Sequence, residues 1–371
     1  MIGRYIDLIK YALILIILIP AGAHSFRLRQ LESIPLEGGA KVYGQASGNI
    51  VIASKSGLKF FDCRWKPRFE LAPDSAVRSV VAESGLYYGI EGQIPSLNGR
   101  APVNIINIYN ARQLPLWSAY DLASGEYYLS PDGNFLVVAS GAEGLNDYEL
   151  LIYHIDRQVI KVSIGSFVGL TISSDSKFIL VDCGSRGVRL LNSDGKILGK
   201  YDYQKKYAFS EDGRLAGFYV NGRITIIEPG KNERRLDFQK TLLNDMVIRD
   251  DLGRLALAFS DEFIMADLKD GRVLWKYPPN IKLGKYVSAD ISPNGKFAAG
   301  GVDVSRGSDV DIAERHVQGF IHVYDIGGQT VEKFEVGYSG YGQGMPEVVF
   351  SPDNRTIVVQ TKDSLHVIGI Y

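Results

Sequence analysis

Along most of this chain a short polar turn is followed by an apolar run, and the pair keeps recurring. Residues 130–138 read SPDGNFLVV, 173–181 SSDSKFILV, 210–218 SEDGRLAGF, 292–300 SPNGKFAAG and 351–359 SPDNRTIVV. S-P-D-G is a turn instruction: Pro presets φ at the second position of a type I turn, Asp suits the third, and Gly closes it. The run after each turn is short, β-rich and apolar on both faces, which predicts a strand packed from both sides. A third run follows and often ends in an acid, as in LKFFD (58–62), LLIYHID (150–156), EFIMAD (262–267) and FIHVYD (320–325). Then come a turn and a more polar fourth strand, such as RVLWKY (272–277) or TVEKFEV (330–336).

The apolar run that follows the turn occurs eight times, starting near residues 49, 86, 134, 177, 214, 254, 296 and 355. The repeat is therefore about 43 residues long, with four strands in each copy. That unit and period predict an all-β, eight-bladed propeller with four antiparallel strands per blade. A lone blade exposes two apolar faces, and stacking blades in a ring covers both. The chain ends on a third strand, SLHVIGIY (364–371), so the last blade lacks an outer strand. FRLRQLESIPLE (26–37) is the natural supplier and would clasp the ring shut. Tandem β-sandwiches are the alternative, but they do not require so uniform a unit.

The N-terminus breaks the pattern. MIGRYIDLIK carries Arg4 and Lys10, and residues 11–23, YALILIILIPAGA, carry no charge. Thirteen residues of helix span roughly 20 Å, short of the ~30 Å hydrocarbon core of a bilayer. Pro20 breaks the helix, and Ala21-Gly22-Ala23 matches a small-residue cleavage pattern. Residues 1–23 therefore read as a secretory signal, with 24–371 as a single propeller domain exported to a periplasm or cell surface. The alternative is an uncleaved membrane anchor through residues 11–26.

Composition agrees with a strand-and-turn protein: there are 40 Gly and 21 Tyr in 371 residues. Formal net charge is −1, so no global field recruits nucleic acid. The one basic stretch, KNERR (231–235), reads as a solvated turn. The two cysteines, Cys63 and Cys183, fall in distant repeats and are expected as separate thiols. The five histidines do not recur at one position of the repeat. His154 lies two residues before its terminal Asp and His322 three, so these read as packed or edge residues. No hydrolase elbow, Walker loop or zincin motif occurs.

The repeats resemble WD-repeat and quinoprotein-like propellers. The third strand ending in Asp, as in Phe61-Asp62 and Tyr324-Asp325, is similar to the Trp-Asp ending of WD repeats, although their Gly-His signature is missing. ADLKDGRVLWKY (266–277) resembles a pyrroloquinoline-quinone-type repeat through Asp267, Gly271 and Trp275. Trp117 and Trp65 are poorer copies. The resemblance implies either a binding scaffold or a cofactor-dependent dehydrogenase. The dehydrogenases carry adjacent cysteines and a ring of Trp motifs, which this chain lacks, so no cofactor is expected.

Long insertions are expected on the face that carries the second-to-third-strand loops. They are 91–103 in blade 2, 140–149 in blade 3 and 302–319 in blade 7, together with the 336–347 connection. Long loops on a rigid scaffold are where binding usually resides. The candidate partner-binding residues there are Arg100, Asp147, Arg306, Asp309, Asp311, Arg315, Tyr338 and Tyr341. Glu143, Asp303 and Glu314 add acids, and Met345 sits with the tyrosines among glycines. Asp309-x-Asp311 alone is too few oxygens for Ca²⁺. The expected partner is a protein or a cell-envelope polymer. The rival reading is an enzyme with its site in the central channel. An enzyme should gather charged side chains in that channel, and a scaffold should carry an apolar-aromatic patch on the loop rim.

Overall fold

The computed structural model describes residues 28–36, 40–44, 49–54, 57–62, 64–71, 79–94, 102–141, 148–156, 158–202, 206–229, 231, 233–282, 284–304, 316–339, 346–361 and 364–371. They form eight four-stranded antiparallel sheets. Blades 1 to 7 span 41–71, 79–120, 126–165, 169–201, 206–237, 243–277 and 284–339. Blade 8 takes three strands from 347–370 and its outer strand from Leu28–Pro35. That strand runs antiparallel to Ser364–Ile370, with Leu28 opposite Ile370 and Pro35 opposite Ser364.

Eight apolar clusters hold the ring, one at each seam between neighbouring blades. Phe135, Val137 and Ile152 of blade 3 pack with Leu170, Ile179 and Val181 of blade 4. Tyr219 and Ile226 of blade 5 pack with Leu255, Leu257 and Phe259 of blade 6. Ile321 and Val323 of blade 7 pack with Ile357 and Val359 of blade 8. The last seam joins Val358 and Val367 of blade 8 to Ile50 and Ile52 of blade 1. Side chains alternate along each strand, so a run apolar at every position feeds two seams at once. That is why the second strands read as unbroken hydrophobic runs. Each fully buried Ile, Leu or Phe is worth about 1.5–3 kcal/mol of transfer free energy.

The recurring turn has a recurring lock. In blade 3, Ser130 Oγ donates to Asp132 Oδ1 (2.7 Å) and accepts from Phe135 N–H (3.0 Å). Asp132 Oδ1 also accepts from Asn134 N–H, and Gly133 N–H closes the turn on Ser130 O (2.9 Å). The same Ser sits at 173, 210, 292 and 351, buried each time. The acid that ends a third strand caps the next turn. Asp62 Oδ1 accepts from Arg64 and Lys66 N–H, and Asp325 Oδ1 from Gln329 N–H.

Blade 6 departs from this pattern and places Arg249 where the Ser would stand. Its guanidinium meets Asp251 (2.8 Å) and, in blade 5, Glu211 (2.7 Å). It also donates to the carbonyls of Ile291, Ser292 and Pro293 in blade 7. One side chain thus ties three blades.

Blade 7 is taller than its sequence suggested. Its second and third strands are Phe297–Val304 and His316–Asp325, and its fourth is Thr330–Ser339. Residues 302–304 and 316–319 therefore belong to strands, with Asp303 opposite Gly319. The insertion expected over 302–319 shortens to 305–315, and part of the 336–347 connection is strand. Blade 2 is similar: 91–94 extends its second strand and Val103 begins its third. In blade 5, Arg234 and Arg235 open the outer strand, so the basic stretch is only partly a turn.

Candidate functional site

The two faces of the ring can be told apart by hydrogen bonds. The turn after the third strand donates to the turn before the second: Ala111 N–H to Leu86 O, Ile155 N–H to Asn134 O, Ile326 N–H to Lys296 O. Both turns thus share one face, and the second-to-third-strand loops lie on the other.

On that other face, blades 7 and 2 stand above blades 8 and 1. The second strand of blade 2 has 8 residues (Tyr87–Ile94) and that of blade 1 has 5 (Ile50–Ser54). Three more residues raise the hairpin by roughly 10 Å. Blade 8 is also low, its second strand being Thr356–Gln360. The result is a saddle with blades 8 and 1 as its floor.

The blade 2 wall of the saddle is apolar. Ile94 lies opposite Val103, and Ile105 opposite Tyr120. Alternation puts all four on one side of the sheet, the side where Tyr109 meets the blade 1 seam. Ile105 is covered, whereas Ile94, Val103 and Tyr120 are 42%, 37% and 48% exposed. Blade 1 ends too soon to cover them.

Of the predicted contact residues, Arg100, Asp147, Arg306, Asp309, Asp311, Arg315 and Tyr341 lie outside the described residues, as do Glu143, Glu314 and Met345. Tyr338 falls in the outer strand of blade 7, opposite Val317. Cys183 is buried and free; Cys63 lies outside the described residues. His322 is packed at the blade 7 core, with Tyr286 Oη 3.0 Å from its Nδ1 and 2.5 Å from Tyr324 Oη.

The central channel holds chemistry the sequence reading did not single out. A cavity of about 740 Å³ is lined by Lys41, Tyr43, Glu83, Glu126 and Tyr128 from blades 1–3, with Thr171 from blade 4. A smaller one of about 260 Å³ is lined by Glu211, Asp245, Asp290 and Glu347. Glu83 is reached by water from the channel but is enclosed by its walls. Burial, and then the neighbouring Glu347, raise its carboxyl above the ordinary range. Burial pushes Asp290 up to about 7, against hydrogen bonds from Phe350 and Ile291 N–H. Lys206 sits 3.4 Å from Asp245.

Two of these carboxylates are engaged by backbone N–H groups of the ring itself. Asp245 accepts from Ala289 N–H (3.0 Å), and Asp290 from Ile291 (2.7 Å) and Phe350 N–H (2.6 Å). A polar residue within an inner strand, as in YVSADI (286–291), was the available signal. Its direction into the channel becomes visible only once the ring closes. Both discriminating features are thus present, inward charges and an apolar rim, but several of the inward charges are spent on inter-blade hydrogen bonds. Among the described residues, no group of three or more His, Cys, Asp or Glu is placed to hold a metal ion.

This architecture is that of a WD40-like β-propeller. The chain is similar to the solved C-terminal WD40 domain of Sif2, with a TM-score of 0.60 and 12% identity, over 93% of this chain and 98% of that one. At that identity the likeness is one of fold. No protein-family model matches the sequence, and no curated protein matches it.

Proposed function

We propose that the protein is an exported binding propeller that engages a protein or cell-envelope polymer through its loop-bearing face. The observation that carries this reading is the saddle: two tall blades flank two short ones, and the inner wall on blade 2 is uncovered and apolar. Contiguous exposed apolar side chains on a rigid rim suit a macromolecular partner. The predicted loop residues Arg100, Asp147, Arg306, Asp309, Asp311, Arg315, Tyr338 and Tyr341 belong by sequence to the insertions around this saddle.

A photo-crosslinker at position 94 tests the reading in the native host. It should capture one dominant partner, and Val103→Asp with Tyr120→Asp should abolish that product. Equal capture from position 114, on the opposite face, would sink it. Export is tested separately by mass spectrometry of the native protein. A mature N-terminus at His24 is expected, and an intact chain retained in membranes would support the anchor.

The quinoprotein-like alternative has one observation in its favour. Trp275 of blade 6 donates its indole N–H to Ile326 O of blade 7 (3.0 Å), and Trp117 of blade 2 donates to Gly133 O of blade 3 (2.7 Å). Both tryptophans dock on a turn of the following blade. A quinone absorbance in protein purified from its host would favour this reading over the scaffold.

A further inference from the structure

The open half of the channel carries chemistry that the binding reading does not use. Its cavity of about 740 Å³ is bounded by the inner strands of blades 1 to 4, a volume in the range of small-molecule sites. Glu126 opens the inner strand of blade 3, at the saddle end of the channel, and Glu83 follows the inner strand of blade 2, at the turn end. Between them the wall is apolar and aromatic, with Val80, Leu129 and Leu170 beside Tyr43, Tyr127 and Tyr128. The two acids are thus separated by a belt, not gathered in one cluster.

The acids differ in what holds them. Tyr128 donates its hydroxyl to Glu126 Oε2 (2.6 Å), which fixes that carboxylate on the wall. The carboxylates of Glu83 and of Glu347 in blade 8 make no hydrogen bond or ion pair among the described residues. Burial and then Glu347 raise Glu83, while burial and then Asp245 raise Glu347, with Lys206 acting against them. Carboxylates that disfavour each other's charge are relieved by a cation between them.

The chain's own bases leave that charge standing. Lys206 pairs with Asp245 (3.4 Å). Lys41, the one base in the cavity lining, is exposed and makes no ion pair among the described residues. Glu83, Glu126 and Glu347 therefore stand against a single unpaired ammonium. An organic amine suits such a site: ammonium groups meet carboxylates, methylenes lie on the apolar wall, and tyrosine rings attract cations held over them. A metal ion suits it poorly, since among the described residues no group of three or more His, Cys, Asp or Glu is placed to hold one.

We propose that the open half of the channel binds a linear polyamine, with ammonium groups on Glu83, Glu126 and Glu347 and methylenes against Tyr43, Tyr127 and Tyr128. This site does not depend on the saddle or its partner.

Calorimetric titration of the protein purified from its host, at physiological salt, tests this with spermidine as the probe. Magnesium and a straight-chain diol of the same length are the controls. Spermidine should bind once per chain, and neither control should displace it. Glu83→Gln with Glu347→Gln should weaken it about tenfold or more. Thr171 lines the same cavity, so Thr171→Arg keeps every acid but places a guanidinium among them, and it should weaken spermidine as much. The circular dichroism of both variants should stay that of the parent, and Ile94→Asp, on the saddle wall, should leave spermidine binding unchanged. Displacement by magnesium would reduce the interaction to charge screening, displacement by the diol would reduce it to apolar burial, and either overturns the proposal. It is equally overturned if spermidine does not bind, or if either folded channel variant binds it as tightly as the parent.

Discussion

The two halves of the channel are built differently. In blades 6 to 8 the inner strands are stitched to one another. Asp245 reaches Ala289, Ser288 Oγ donates to Pro346 O and accepts from Val348 N–H, and Asp290 reaches Phe350. In blades 1 to 4 the wide cavity separates the inner strands. Strand length explains the contrast. The inner strands of blades 6 and 7 have 7 and 8 residues, whereas those of blades 1 and 2 have 3 each. A long inner strand carries side chains past its own sheet into reach of the next strand's N–H groups. A short one leaves the channel to water. The open half relies on close backbone approach instead. Gly44 and Gly85 meet at the blade 1–2 seam with φ of +73° and +65°, and a Cβ on Gly85 would lie 2.0 Å from Asn49 O.

The sharpest way to break the stitched half is Arg249→Met. It leaves Glu211 and Asp251 without their cation and takes a donor from three carbonyls, of which Ser292 O keeps Gly295 N–H, which should cost about 2–3 kcal/mol. Thermal and urea unfolding would measure it. A loss under about 1 kcal/mol would mean that the three-blade tie is not what holds this half.

Blade 7 also carries two buried groups whose pH dependences oppose each other. Burial, and then Lys333, push His322 down to about 4. The unfolded His takes a proton first as pH falls, so its contribution is intact above pH ~6.5 and declines toward pH ~4, by about 3 kcal/mol in total. Asp290 works in the opposite sense. Its folded pKa of about 7 lies above the unfolded carboxyl, so stability falls as pH rises from ~4 to ~7, by about 4 kcal/mol. In the parent the two slopes largely cancel. His322→Gln should leave stability falling with rising pH, and Asp290→Asn should leave it falling with falling pH. Denaturant midpoints across pH 4–8 would separate them, and identical profiles for both variants would contradict the account.

In the open half, Gly85→Ala should cost about 2 kcal/mol or more through its φ and the clash with Asn49 O. The smallest stability effect belongs to the saddle wall. Ile94→Asp should change stability by less than about 1 kcal/mol, because the side chain sits exposed at the rim, yet it should weaken partner capture several-fold. A large loss of stability there would show the wall to be structural.

The propeller was legible because its signals are local and repeated. Ser130-Pro131-Asp132-Gly133 specifies its turn from within four residues, and the eight runs that follow are the second strands of eight blades. The WD-like acid was legible for the same reason: Asp62 and Asp325 cap the turn they precede. The height of blade 7 was not legible. Asp303-Val304 and His316–Gly319 look largely polar, which reads as loop, and they become strand because Asp303 and Val304 lie opposite Gly319 and Gln318, and His316 and Val317 opposite Ser339 and Tyr338. Most of the candidate contact residues lie outside the described residues, and Tyr338 and Asp303 fall in strands.

By itself the sequence determined the unit and its number: a turn that closes through its own side chains, and strands apolar on both faces that must be covered twice. Those properties depend on residues a few positions apart. The tertiary structure decided everything that depends on which blade neighbours which. It put Arg249 of blade 6 against carbonyls of blade 7, turned Asp245 and Asp290 into links between blades, and left Ile94, Val103 and Tyr120 bare because blade 1 is short. No local pattern encodes these, since each is set by the difference in height or charge between two segments that meet only when the ring closes.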